Sequence, residues 1–425
     1  MSAIVTQQTT GRPTGPMTGP PADHTTGQRW AYPLLIVLLA ASMGVSGAPA
    51  PLYGLYEQRW HLAPLTTTLV FAAYAVAALL AVLMAGQASD KYGRKPLLLA
   101  AAVGMIAGLV VFMTADGLAA LFVARVLHGA SVGTAVVVGS AALLDLRPAR
   151  GARTGHLTGI MINAGIAVTI LGASLLAQFA PHPYVAPYAA VAVVILAMLL
   201  GLVAMVEPHA ARTGRTSGRL RLTRPHVPAS IAADFRFAVL GVMAAWSVLG
   251  VYLSLFPTFA GQSTGVHSLV FGGAVVAAMA GSAALSQALG GRLLAKRAAI
   301  IGDFGTAAAL GVSVLALDSG HAGLVGAAAV FMGLSFGLAF GGSLRHLGSV
   351  VPAGQRGQVM SAYYVLGYSA MIVPTILAGW AATVWGLAAI FPWFSLAVAL
   401  ACITAGTLGL TGRERSLPLV AGSPS

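Results

Sequence analysis

Charge is what this chain of 425 residues has least of: Asp, Glu, Lys and Arg together make up 8% of it, against roughly 25% in a soluble domain. So few ionic side chains could not cover a water-soluble protein of this length, and that class is set aside. Cysteine is nearly missing as well. The single one, Cys402, stands in the last apolar run, so no internal disulfide can form. Catalytic groupings are missing too. No His/Asp, Ser/His or metal-ligand cluster converges at one depth, so neither an enzyme nor a bound metal or cofactor is expected.

What the chain does have is apolar length. Hydrophobic residues make up 58% of it, with 52 glycines among the rest. About 20 helical residues cross a hydrocarbon core of ~30 Å, and small residues let helices approach closely in lipid. Twelve runs of that kind are read at 33–55, 65–85, 96–115, 117–144, 157–180, 184–206, 235–260, 267–289, 298–317, 322–344, 358–382 and 386–411. The expected fold class is therefore all-α integral membrane, with twelve transmembrane helices. Residues 1–28 are rich in Thr, Gly and Pro without an apolar face, and are expected to be a disordered tail.

The 23 basic residues are placed with a bias. With the amino terminus inside, all except Arg59 and Arg125 fall in tails, even-numbered connectors or the adjoining helix ends. Cytoplasmic loops hold excess Lys and Arg, so both termini are expected in the cytoplasm and the protein in the cell membrane. The net charge of +13 is thereby explained by topology, and a nucleic-acid partner is not expected.

The longest connector, 207–234, divides six spans from six. The second six read as a copy of the first: Arg94-Lys95 recurs as Lys296-Arg297, Asp116 as Asp318 and Gly165 as Gly367, each at an offset of 202. The expected organisation is a tail at 1–28, a six-helix bundle at 29–206, the connector, a second bundle at 235–411 and a cytoplasmic tail at 412–425. Paired halves with a site between them are the architecture of secondary transporters.

The stretch "GQASDKYGRK" at 86–95, between spans two and three, concentrates charge where the chain otherwise has almost none. Gly93 is expected to make a turn with positive φ, Gly86 to let span two pack tightly, and Asp90 to cap the next helix or pair with Arg94. Gly86, Asp90, Gly93, Arg94 and Lys95 fit the pattern G-x-x-x-D-x-x-G-R-[KR]. With the 6+6 order, this resembles the major facilitator superfamily over residues 30 to 411. The resemblance implies a secondary active transporter working by alternating access, with this loop as a latch between helices. The second copy, "GGRLLAKR", has Arg292 where the aspartate would fall, which puts a latch there in doubt.

Span four, "RVLHGASVG", resembles the family's R-x-x-Q-G-x-G helix through Arg125 and Gly129, with His128 in place of glutamine. A charge inside a span faces the bundle interior or a wet cavity. Arg125 is therefore the candidate cavity charge, sharing a face with His128 and Gly129. His128 is read equally as a proton carrier and as a core histidine. Asp303 is the acidic residue inside a span. A salt bridge to Lys296 or Arg297 is expected for it ahead of a role in proton coupling. From the spans that line the cavity in the family, the candidate lining residues are Ser42, Ser46, Asn163, Trp246, Tyr252 and Tyr364, suiting a neutral or weakly anionic, partly apolar solute. Pro49 and Pro51 are expected to close span one, and Pro257 to interrupt span seven. Exporters of the family often carry a Gly-Pro motif in span five. Here Gly159, Gly165 and Gly172 keep the spacing and the proline is absent. The reading is proton-linked export of a small organic molecule by a monomer in the bilayer. Import of a nutrient or organic acid is the alternative, and a sensor or scaffold the one from another class.

Overall fold

The computed structural model describes residues 28–147, 151–208 and 226–411. The tail for which disorder is expected, apart from Gln28, lies outside the described residues. So do residues 412–425 and 209–225 of the central connector.

The chain forms fourteen α-helices among the described residues, and no strand. They are α1 (Ala31–Gly47), α2 (Tyr53–Trp60), α3 (Pro64–Tyr92), α4 (Arg94–Met113), α5 (Leu118–Leu146), α6 (Gly151–Phe179), α7 (Ala186–Ala204), α8 (Ala232–Ser254), α9 (Phe256–Thr264), α10 (Leu269–Gly290), α11 (Ala295–Asp318), α12 (Ala322–Val350), α13 (Arg356–Trp385) and α14 (Leu387–Thr411). They make 12 spans, the first running through α1 and α2 and the seventh continuing into α9. Helices satisfy their own backbone groups, which lipid cannot do. Their outer faces are apolar without cover: Val168 and Phe179 are 72% exposed and Trp393 71%. On a soluble monomer such patches would drive association; here they form the lipid-facing surface.

Proline breaks two helices at matching places, although not as expected in the first. Pro49 and Pro51 do not close span one. A short 3-10 turn at Ala50–Leu52 re-aims the chain, which then runs on through α2. Proline is tolerated in a first turn, where its missing N–H would be unbonded anyway. Pro257 sits likewise in the first turn of α9.

The offset of 202 recurs in the helices. Adding it to 118–146 gives 320–348, against Ala322–Val350 for α12, and adding it to 94–113 gives 296–315, against Ala295–Asp318 for α11. Both termini of the described chain lie at one end of the bundle, here the terminus end; the opposite end is the far end.

Packing relies on close backbone approach. At the seam of α11 with α12, a methyl group on Gly302 would overlap the backbone nitrogen of Ala339, and one on Gly342 would overlap that of Ala299. Many of the hydroxyls buried in the spans are satisfied within their own helix. Ser42 Oγ donates to Leu38 O at 2.6 Å and Thr306 Oγ1 to Gly302 O at 2.8 Å, so they need no partner from another span.

Candidate functional site

The polar loop between spans two and three is built around Arg94. Gly93 has φ 98°, and a side chain there would also stand 2.7 Å from Glu207 Oε2. That geometry turns the chain so sharply that α3 ends and α4 begins on either side of one residue. Arg94 is largely buried and pairs with Asp90 Oδ1 at 2.7 Å and with Asp145 Oδ2 of α5 at 3.1 Å. It also donates to Ser89 Oγ. One guanidinium thus ties the end of span two to the end of span four. Asp90 pairs with Arg94 and does not cap α4. The cap is Glu207, just past span six, which accepts from Arg94 N at 2.8 Å and Lys95 N at 3.0 Å. Lys95 Nζ returns to Val203 O, in the last turn of α7, at 2.7 Å. An anion at a helix N-terminus and a cation at a C-terminus are each favoured by the helix dipole. Gly86 is no point of close approach: a methyl there would meet only Val137 Cγ1, at 3.9 Å.

Removing the cap in Glu207→Ala is expected to cost about 0.5–2 kcal/mol, read as a lower thermal-unfolding midpoint in detergent. An unchanged midpoint would show that this carboxylate does not hold α4. In the second half the basic pair is kept, but the junction is held by Arg345 of α12. Its guanidinium donates to Gly290 O at 3.0 Å and Gly291 O at 3.3 Å, at the carboxyl end of α10.

Arg125 stands two turns into α5 from the far end and is fully buried. Its Nε donates to Tyr53 Oη at 2.7 Å and its Nη1 to Ser46 O at 2.9 Å; Nη2 also reaches Tyr53 Oη. The rings of Tyr53, Phe71 and Tyr74 surround it at 5.3, 5.7 and 5.3 Å. These contacts bind α5 to the broken first span and to α3. They surround the charge with ring faces and oxygens in place of water.

The expected neighbours of Arg125 on its helix separate. Gly129 faces α3, where a methyl would overlap Tyr74 O. His128 faces α4: its ring lies 5.2 Å from Phe112 and beside Gly108, and neither ring nitrogen has a hydrogen-bond partner. It packs as a core residue between α4 and α5.

Between the halves, a cavity of about 480 Å³ lies toward the terminus end. Its wall comes from α6, α10, α12 and α13, including His156, Gln287, Phe340, Arg345 and Arg356. Gln287 is 7% exposed and its amide nitrogen has no hydrogen-bond partner. At the far end the halves are pinned together. Gln178 Oε1 accepts from Ser268 Oγ at 2.8 Å and Val270 N at 3.0 Å, and Leu65 N donates to Thr383 Oγ1 at 3.0 Å. Glu57 accepts from Thr67 Oγ1 at 2.7 Å and from Thr258 Oγ1 of the other half at 3.5 Å. A second cavity, of about 430 Å³, lies beside this last contact and is lined by Gly54, Gln58, Thr258 and Gln262. With Glu57→Ala, a cysteine at Gln262 is expected to react severalfold faster with a membrane-impermeant thiol reagent. An unchanged rate would mean Glu57 does not hold the far end shut.

Of the six expected lining residues, none touches the larger cavity. The Trp246 ring lies 5.9 Å from Phe340, which lines that cavity, 6.4 Å from Tyr364 and 4.8 Å from Tyr368. Ser42, Ser46 and Asn163 bond to carbonyls of their own helices, Asn163 Nδ2 to Gly159 O at 3.1 Å. Tyr252 is stacked on Phe256 at 4.0 Å inside the second half. The salt bridge expected for Asp303 does not form. Its two carboxylate oxygens are buried without any hydrogen-bond partner, because α11 turns the side chain toward α8 and away from Lys296 and Arg297. Sequence reasoning missed Glu57, Gln178, Glu207 and Gln287. An acid directly after span six, in a stretch dominated by arginine, was the available signal for Glu207.

Residues 34–375 match the model of the Major Facilitator Superfamily. The chain belongs to that family, and is a multi-pass membrane transporter. Among solved structures it is similar to the crystal structure of the human organic anion transporter MFSD10 (TETRAN). The TM-score is 0.66 at 16% sequence identity, over 89% of this chain and 99% of that one. Among curated proteins no sequence matches.

Proposed function

We propose that the protein exports small organic molecules from the cell by alternating access, linked to the movement of protons. The observation that carries this reading is the asymmetry between the two ends. The far end is bonded across the halves, and a cavity of about 480 Å³ lies between them toward the terminus end. This is one of two access states, open toward the side on which the basic connectors lie. Two units, 29–206 and 235–411, joined by 207–234, rock about the cavity as a monomer in the cell membrane with both termini cytoplasmic.

Among the described residues the cavity wall carries Arg345, Arg356 and His156 and no acidic side chain, together with Phe340, Leu338 and Leu344. Pocket sites combine apolar walls with a few polar groups. This set suits a neutral or weakly anionic, partly apolar solute, and the structural neighbour is itself described as an organic anion transporter.

The test is a panel of toxic organic compounds in an efflux-deficient host, followed by flux of the responding compound in proteoliposomes with and without a pH gradient. Resistance gained and flux driven by the gradient are expected. Sensitisation of the host would reverse the direction, and flux indifferent to the gradient would remove the proton linkage.

A further inference from the structure

Behind the cavity wall, inside the second half, several polar atoms meet with no partner. Asp303 of α11 is fully buried and neither of its oxygens is hydrogen-bonded. The hydroxyls of Ser343 on α12 and Tyr363 on α13 are likewise buried and unpartnered. These groups converge. A methyl on Gly241 of α8 would stand 2.8 and 3.2 Å from the two Asp303 oxygens and 3.2 Å from Ser343 Oγ. Tyr363 lies within electrostatic reach of the same carboxylate, and so does Cys402 of α14. The cavity is one residue away: Gly342, beside Ser343, lines it, and Tyr364, beside Tyr363, belongs to the aromatic group around Trp246.

Toward the terminus end the cluster continues in titratable groups. Ser343 and His346 are three residues apart on α12, hence neighbours on one face. His346 Nε2 lies 2.9 Å from Asp234 Oδ1 at the start of α8, and its ring packs edge-on against Phe237 at 5.5 Å. The Asp234 side chain is 31% exposed. The titratable groups around Asp303 are thus Tyr363, Cys402, and, through Ser343, His346 with Asp234. Lys296 and Arg297, on its own helix, make no ion pair with it.

A bare carboxylate without a cation or donors is too costly to hold at this depth. We propose that Asp303 carries an exchangeable proton, supplied from the terminus end through Asp234, His346 and Ser343, and that this group provides the proton linkage. The inference rests on the proton-linked reading above. An O–H bond forms on the carboxylate as Ser343 gives up its proton and takes one from protonated His346; Asp234 and solvent reprotonate the imidazole. The reverse steps release the proton, and no other bond changes.

The test uses the proton itself as probe, by infrared spectroscopy of the full-length protein in lipid at neutral pH. The expected spectrum has the carbonyl band of a neutral carboxylic acid. That band shifts on transfer to D₂O, persists in Glu57→Gln, and disappears in Asp303→Asn and in Asp303→Ser. Its shift is expected to slow at least tenfold in His346→Gln. The inference is overturned if the band is missing, survives both Asp303 variants, or fails to exchange. The same holds if it exchanges at the wild-type rate without His346, or vanishes when sodium is added at constant pH, which would mark a cation site instead. Wild-type flux that ignores a pH gradient would sink the proton-linked reading, while the spectrum reports on Asp303 independently of that result.

Discussion

Replacing Arg125 with Ala is expected to abolish transport, with flux at least a hundredfold below wild type, and to lower thermal stability as well. The guanidinium holds Tyr53 Oη and Ser46 O inside the first half. Its removal leaves both without partners, at about 1–3 kcal/mol for each buried polar group left unsatisfied, and opens a void among Phe71, Tyr74 and Tyr53. The break in the first span lies between those two anchors, so its bend loses its fixed angle. Arg125→Lys separates charge from geometry. It keeps the cation but loses the planar fork, and more than nine-tenths of the flux should go with it while abundance in the membrane stays near normal. Flux by the Ala variant close to that of wild type would remove this residue from the account.

The second large effect is expected in the half that holds Asp303. Gly302→Leu should give a protein that inserts but does not pack, seen as loss of the monodisperse species in detergent. Gly302 and Gly342 bring α11 and α12 into backbone contact, and a first side-chain carbon at Gly302 already overlaps Ala339. Overpacking by even a methylene costs about 1–3 kcal/mol, and here no flexible side chain is present to yield. Wild-type monodispersity and melting of this variant would contradict the described seam.

The spans were legible because membrane crossing writes itself as length and apolarity, and the basic residues mark connectors. The polar loop at 86–95 was legible as well, since Gly93 and Arg94 answer to local rules of turn and charge. The cavity was not. Its wall combines glycines with Gln287, His156, Phe340, Arg345 and Arg356, among others, from α6, α10, α12 and α13, and nothing in local sequence says which face of a largely apolar helix meets the other half. Asp303 shows the same limit. Spacing along α11 put it near Lys296 and Arg297, but its direction is set by α8, sixty residues earlier, where Gly241 leaves room for it. His128 shared a helix face with Arg125 by periodicity, yet its ring packs beside Gly108 of α4 while Arg125 reaches Tyr53 of α2.

The most direct measurement locks the far end. In a Cys402→Ser background, Gly54→Cys is combined with Thr258→Cys, since a side-chain carbon at Gly54 would stand 3.3 Å from Thr258 Oγ1 across the two halves, near the spacing a disulfide needs. Oxidation should stop flux of the responding compound almost completely, and reduction should restore it. Undiminished flux through fully cross-linked protein would contradict alternating access by rocking halves.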